Sequence, residues 1–268
     1  MIYLKSDSEI EIIKESGQIL GKAHAEVAKL IRPGVTTKEL DNVADEYIKD
    51  FKGHPSFKGY KVGKFVFPAA LCISVNDVVV HGIPNSLVLV EGDVVSIDCG
   101  VYYKGFHSDS AYTYAVGEIK PEVADLLKKT KESLYKGLSM AVHGGRVGDI
   151  GYAIQSHVEK YRYGVVRELV GHGVGKSLHE DPQVANYGKR GMGTKLQEGM
   201  VLAIEPMVNL GKKDVVTDRD GWTIRTKDRL PSAHFEHTVM VRRGRSEILT
   251  TFEYIEAVLK ENSLQSVF

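Results

Sequence analysis

The sequence predicts an α+β protein made of two related halves, and three observations carry that prediction. A buried helix face made of Leu40, Val43, Ala44, Tyr47, Ile48 and Phe51 recurs 110 residues later as Ile150, Ala153, Ile154, His157, Val158 and Tyr161. The stretch Glu91-Gly-Asp-Val-Val-Ser-Ile-Asp98 is echoed by Glu198-Gly-Met-Val-Leu-Ala-Ile-Glu205. Between the helix pairs, residues 92–111 read as a β-hairpin, with β-branched residues up to Ile97 and a turn at Tyr103, Lys104 and Gly105. A weaker echo links Val80-His81-Gly82 with Gly171-His172-Gly173. The expected organisation is one domain over residues 1–268, with halves at about 8–118 and 119–250 related by a pseudo-two-fold axis and a site at their junction.

Each element follows from its pattern. Residues 8–31 carry Ile10, Ile13, Gly17, Leu20, Ala23, Val27 and Leu30 or Ile31 on one helical face, and Arg32-Pro33-Gly34 ends the run. Thr36 and Glu39 make a capping box for the next helix, which Gly53 and Pro55 close. Residues 53–68 read as a loop whose Phe57, Tyr60, Phe65 and Phe67 either line a pocket or cover the core. Residues 70–75 and 78–81 are short strands, followed by a turn at residues 81–84. Pro121 opens a helix with Val123, Leu126, Leu127, Thr130, Leu134 and Leu138 inward, and His143-Gly144-Gly145 breaks it.

Composition narrows the class. Thirty-five basic residues balance 35 acidic ones, which argues against a general nucleic-acid or membrane-surface binder. Two cysteines, Cys72 and Cys99, supply no disulfide framework and suit a reducing compartment. The N-terminus is charged and no run reaches about 18 apolar residues, so a cytoplasmic protein without a membrane span is expected.

The chemistry lies in the strands. With the hairpin turn centred between Tyr103 and Lys104, Asp98 faces Asp109. Two unit charges about 4 Å apart cost about 4 kcal/mol at an effective dielectric near 20. A shared proton or a cation relieves that cost. The repeat sets Glu205 where Asp98 stands in the first half, and alternation in Ala233-His-Phe-Glu-His-Thr-Val-Met-Val241 puts Glu236, Thr238 and Met240 on one face. His172 sits between glycines that let a ligand approach its ring. Asp98, Asp109, His172, Glu205 and Glu236 together offer four carboxylates and one imidazole. That set balances two divalent cations and suits Co, Mn, Fe or Zn better than a structural zinc site.

Seven motifs then mark a family: Val80-His-Gly-Ile-Pro84, Ser96-Ile-Asp-Cys-Gly100, His107-Ser-Asp-Ser-Ala111, Gly171-His-Gly-Val-Gly175, His179-Glu-Asp-Pro182, Ala203-Ile-Glu-Pro-Met207 and Phe235-Glu-His237. From the first helix to about residue 250 the sequence resembles the type I methionine aminopeptidases. The resemblance implies the pita-bread fold, with helices outside a curved antiparallel sheet. It implies a dinuclear metallo-exopeptidase, a hydrolase that removes the initiator methionine from nascent polypeptides when the second residue is small. By resemblance Asp98, Asp109, His172, Glu205 and Glu236 hold the two ions, and Glu205 also shuttles a proton. His179 meets the developing oxyanion and His81 the scissile amide. Tyr60, Cys72 and Trp222 line the methionine pocket, and Asn76, Val78 and Ser232 match a monovalent-cation site.

The same resemblance makes nascent N-termini the partners, allows ribosome contact, and gives a monomer with no nucleic-acid or membrane partner. Ile2 predicts that Met1 is kept. Two departures touch the pocket: a longer stretch between Tyr60 and Cys72, and Leu178 where some members carry an aromatic ring. Without a zinc-binding extension or a long helical insertion, a compact bacterial or organellar form is expected. The rivals are a Xaa-Pro peptidase of the same fold and a peptide-binding relative that does no chemistry.

Overall fold

The computed structural model describes residues 2–261. Met1, on which the retention expectation falls, lies outside them. Four helices carry the predicted apolar faces: α1 (Asp7–Ala28), α2 (Thr37–Asp50), α3 (Pro121–Leu138) and α4 (Val147–Val158); the described residues also include a helix the sequence reading did not mark, α5 (Glu253–Glu261). Ser6 caps α1 and Thr36 caps α2, each in a capping box with the glutamate three residues on. Ile31 is buried beyond the end of α1 and Leu30 is only half-buried.

The repeat extends into details of the backbone. Glu39 accepts from the N–H of Thr36 at 2.8 Å, and Asp149 accepts from the N–H of Arg146 at 2.8 Å. Thr36 bridges Val88, as Arg146 bridges Lys195. Gly92 and Gly199, each two residues before its strand, both take φ of 90°. That region strongly favours glycine. One expectation fails in both halves alike: Phe51 is 49 % exposed and Tyr161 is 41 % exposed. Each lies past the last turn of its helix, where the apolar stripe has run out. Phe51 stacks on Tyr47, and Tyr161 lies under the Lys129 ammonium.

The strand pairings are antiparallel. In the first half, the hairpin Val94–Tyr103 and Phe106–Ala115 pairs with Leu71–Val75 and His54–Pro55. In the second, Gly171–Gly173, Val201–Ile204 and His237–Val241 form the middle of a five-stranded sheet. The α1 helix packs on the hairpin, and α3 on Met207–Asn209 and Ser232–His234. One apolar cluster runs from Ile19 to Val258 and draws on both halves. Residues 53–68 are not wholly loop. Lys61–Val62 pairs with Phe65–Val66 in a small hairpin. The second strand of its region is Val78–Val80, and His81 beyond it has φ of 59°.

The register of the central hairpin corrects the expected one. Tyr103 pairs with Phe106, so the two-residue turn is Lys104-Gly105. Both residues have positive φ, 48° and 92°, as a type I′ turn requires. Asp98 therefore pairs with Ala111, and Asp109 with Gly100. The two aspartates are diagonal neighbours on one face, not directly opposed. The side chains still interact, and the charge of Asp98 helps to raise the Asp109 carboxyl.

Hydroxyl groups join the halves. Asp109 N–H donates to Thr238 Oγ1 at 2.9 Å, and that hydroxyl donates to the Asp109 carbonyl at 2.7 Å. Ser110 Oγ donates to the Glu236 carbonyl at 2.8 Å, while Glu236 N–H donates to the Ala111 carbonyl at 2.9 Å. Thr113 makes the same two-way link with His234. This seam sets Asp109 beside Glu236. Among the described residues no helix is long and apolar enough to cross a membrane.

Candidate metal centre

The five predicted ligand residues converge on one cavity of about 350 Å³. Ligand atoms of Asp109, His172 and Glu236 lie within 4.8 Å of one another. His172 Nδ1 is 2.9 Å from the Gly173 carbonyl. As the carbonyl can only accept, Nδ1 carries the proton and Nε2 is left with a lone pair. That Nε2 is 3.5 Å from Glu205 Oε1. The flanking glycines fit a backbone with no room for side chains. A Cβ at Gly171 would lie 2.3 Å from the Ala203 carbonyl oxygen, and one at Gly173 would lie 2.3 Å from that of Asp181.

The electrostatics fit cations. Asp98 Oδ1, Asp109 Oδ1 and Glu236 Oε1 are buried and have no hydrogen-bond partner. Burial, less an opposing His234 contribution, raises the Asp98 carboxyl to about 7. Burial raises Glu205 to about 8. Burial, then the neighbouring carboxylates, lifts Asp109 and Glu236 well above the ordinary range. Burial, then His179, lowers His172 to about 3, so its imidazole is neutral and able to ligate. Orphaned carboxylate oxygens beside a neutral imidazole are what hard-to-borderline divalent ions bind.

Apolar walls meet these carboxylates directly. Phe57, Phe67, Cys72, Leu178 and Trp222 form one buried cluster, with Tyr60 and Phe65 against it. Phe67 packs edge-on against Trp222 at 5.3 Å, and Phe65 fills the space where a Cβ of Gly221 would stand. His81 lines the cavity with its ring 6.4 Å from Trp222, and burial lowers its imidazole to about 4. His179 stands at the mouth, its Nδ1 2.7 Å from Tyr60 Oη. The predicted cation residues are partly together: Ser232 N–H donates to the Asn76 carbonyl at 2.9 Å, and Val78 lies two residues on.

The family model for metallopeptidase family M24 matches residues 11–243. Methionine aminopeptidase of Clostridium acetobutylicum is 49 % identical over 254 residues, 94 % of this chain and 100 % of the relative. The chain belongs to the methionine aminopeptidases of family M24. The crystal structure of methionine aminopeptidase from Thermotoga maritima superposes with a TM-score of 0.90 at 45 % identity, covering 94 % of this chain and all of that one. Prolidase from Pyrococcus furiosus shares the fold alone, with a TM-score of 0.75 and 23 % identity over 93 % of this chain and 66 % of its own. The fold is thus the pita-bread fold of these aminopeptidases, and the chain uses divalent metal as they do.

Two residues at the site escaped the sequence reading. Asn186 Nδ2 donates to the Glu205 carbonyl at 3.0 Å and fixes the backbone there. Nothing in the spacing around Asn186 points to that contact. His234 is buried with Nε2 3.6 Å from Glu205 Oε2. Here a signal existed, since His234 shares strand parity with Glu236. The aromatic loop resolves as pocket wall, because Phe57, Tyr60 and Phe67 all line the cavity.

Proposed function

We propose that the chain removes the initiator methionine from nascent polypeptides whose second residue is small. The observation that carries this reading is that one cavity of about 350 Å³ is lined both by the apolar and aromatic cluster around Cys72 and Trp222 and by the carboxylates of Asp98, Asp109, Glu205 and Glu236. Asp98, Asp109, His172, Glu205 and Glu236 would hold two divalent ions, drawn from Co, Mn, Fe or Zn. Held by these residues, divalent ions would supply Lewis-acid polarisation of the peptide carbonyl and a water that is nucleophilic near neutral pH.

The rest of the chemistry belongs to the chain. The methionine side chain enters between Cys72, Trp222 and Tyr60, whose soft and aromatic faces suit a thioether. That places the free α-amine among the carboxylates, which selects for an exopeptidase. Glu205 takes the proton from water and passes it to the departing amine. His179 donates to the carbonyl oxygen as charge develops there, and His81 contacts the scissile amide nitrogen. Asn76, Val78 and Ser232 offer backbone oxygens to a monovalent cation. The proposed setting is the cytoplasm, with a monomer of one catalytic domain acting on N-termini as they leave the ribosome.

Hydrolysis of Met-Ala-Ser and Ala-Pro peptides tests the reading, using chelator-stripped protein before and after Co, Mn or Fe is added. Methionine release only after metal addition is the expected result. Proline release instead would assign a Xaa-Pro peptidase. Folded, metal-loaded protein that binds both peptides and cleaves neither would assign a binding module.

A further inference from the structure

His234 has no task in the chemistry above, yet its surroundings give it one. The backbone around it is held rigidly. Its N–H donates to Thr113 Oγ1 at 2.9 Å, its carbonyl accepts from that hydroxyl at 2.7 Å, and the residue pairs with Met207 across the sheet. The ring is buried, and Nε2 has no hydrogen-bond partner. An unpaired buried nitrogen is costly unless something nearby satisfies it. The Glu205 carboxylate is within reach, with Oε2 3.6 Å from Nε2, and the Asp98 carboxylate also acts on the ring through its charge.

Glu205 is therefore flanked by two imidazoles. His172 Nε2 lies 3.5 Å from Oε1, and His234 Nε2 lies 3.6 Å from Oε2. The two rings are not equivalent. His172 and Glu205 line the cavity, whereas His234 does not. A ligand must face the space the ions occupy; a ring outside that lining can orient the carboxylate instead. With the carbonyl of Glu205 already tied to Asn186, the torsions of its side chain are the freedom left to control.

We infer that His234 is a positioning residue for Glu205: its Nε2–H donates to Oε2 and turns Oε1 toward His172 and the metal site. Closing the present gap to about 2.9 Å makes an ordinary charge-assisted hydrogen bond. Such contacts often tighten only when a site is loaded. The inference deepens the proposed function, because it rests on Glu205 serving as both ligand and proton carrier.

The test compares His234→Leu, which keeps the bulk and removes the donor, with His234→Gln, whose amide can still donate. Three quantities are read: cobalt(II) affinity by calorimetry, the visible spectrum of the cobalt-loaded protein, and kcat and KM on Met-Ala-Ser. Loss of a partner behind a metal ligand typically costs about 10- to 100-fold in affinity or activity. His234→Leu should lose about tenfold in cobalt affinity and in kcat, with a shifted spectrum and little change in KM. His234→Gln should recover most of each.

Wild-type affinity, spectrum and kcat in His234→Leu would overturn the inference. So would a His234→Gln protein that binds one ion where the wild type binds two, which would make His234 a ligand. A long-range proton–nitrogen spectrum of labelled metal-free wild type needs no variant and covers the case in which His234→Leu does not fold. It should show His234 protonated at Nε2, and protonation at Nδ1 alone would overturn the assignment. If wild type binds two cobalt ions but releases no methionine, the proposed function fails, while the affinity and tautomer readings still decide the role of His234.

Discussion

The Tyr60 hydroxyl lies 2.7 Å from Nδ1 of His179, and that bond determines which nitrogen of the imidazole carries the proton. Burial raises the Tyr60 phenol above its usual value, so it stays protonated and donates. Nδ1 then accepts, and Nε2 keeps the hydrogen needed for a developing oxyanion. The rings are tilted 58° with centroids 5.1 Å apart, so Tyr60 is both pocket wall and holder of His179. Tyr60→Phe keeps the wall and removes the bond. It should lower kcat by about tenfold or more while leaving KM for a methionyl peptide nearly unchanged, since one oxyanion donor is worth about 100-fold or more. Steady-state kinetics on Met-Ala-Ser separates the two terms, and a rise in KM at constant kcat would assign Tyr60 to the wall alone.

Metal removal should leave a protein whose stability falls as pH rises. In the metal-free fold Asp98 titrates at about 7 against an ordinary 3.8, and Glu205 at about 8 against 4.5. Carboxyls raised in this way keep their protons in the folded state when the unfolded chain has already lost them. Their contribution is full below the ordinary values and is lost as pH rises through 7 to 8. Bound cations replace the protons, so the loaded protein should lack this decline and its metal affinity should climb over the same range. Thermal melts from pH 4 to 8, with and without chelator, check both statements. A flat metal-free profile would mean that the carboxylates are not crowded in solution.

How much of this was legible in the sequence depends on what each feature needs. The helix pairs, the Thr36–Glu39 capping box and the echo between Glu91–Asp98 and Glu198–Glu205 follow from local patterns, and all of them stand. Of the residues of the proposed metal site, Asp98 and Glu205 were legible because they stand at the same point of a repeated strand, Asp109 and Glu236 from the hairpin and strand alternation, and His172 from its flanking glycines. The hairpin register was not, because choosing Lys104-Gly105 over Tyr103-Lys104 depends on Lys104 accepting a positive φ of 48°. That preference is strong for asparagine and glycine and weak for lysine. Asn186 was invisible for a different reason. Its partner, the Glu205 carbonyl, is 19 residues away, and Asn186 does not sit in a periodic stretch.

The hydroxyl seam predicts a defect that combines stability with metal binding. Thr238 Oγ1 both accepts from and donates to the backbone of Asp109, and both residues are buried. Thr238→Val fills the same space and orphans an N–H and a carbonyl. Each buried orphan costs about 1–3 kcal/mol. The variant should therefore unfold at lower denaturant, by about 2–4 kcal/mol, and should bind cobalt more weakly because Asp109 is no longer fixed. Thr238→Ser, which keeps the hydroxyl, should lose less of both. Equal losses in the two variants would trace the defect to the missing methyl group instead of the bond.

The last prediction concerns the chain's N-terminal arm. Lys5 Nζ lies 2.5 Å from Glu180 Oε2, with side-chain exposures of 5 % and 6 %, so the pair is removed from water. The Lys5 N–H also donates to the Gly199 carbonyl, and Glu180 Oε1 accepts from Ser177 N–H. Glu180 directly follows His179, so the pair ties the arm to the start of the strand that follows a catalytic candidate. A buried ion pair adds little net stability when formed, but removing one member strands the other charge, at a cost of about 3–5 kcal/mol. Lys5→Met should be strongly destabilised in urea melts and should lose kcat through disorder at His179. Adding Glu180→Gln removes the stranded charge while keeping an acceptor for Ser177, so the double variant should regain at least half of the lost stability. If the double variant is no better than Lys5→Met, the damage comes from lost packing of the Lys5 stem, and the charge pairing is incidental.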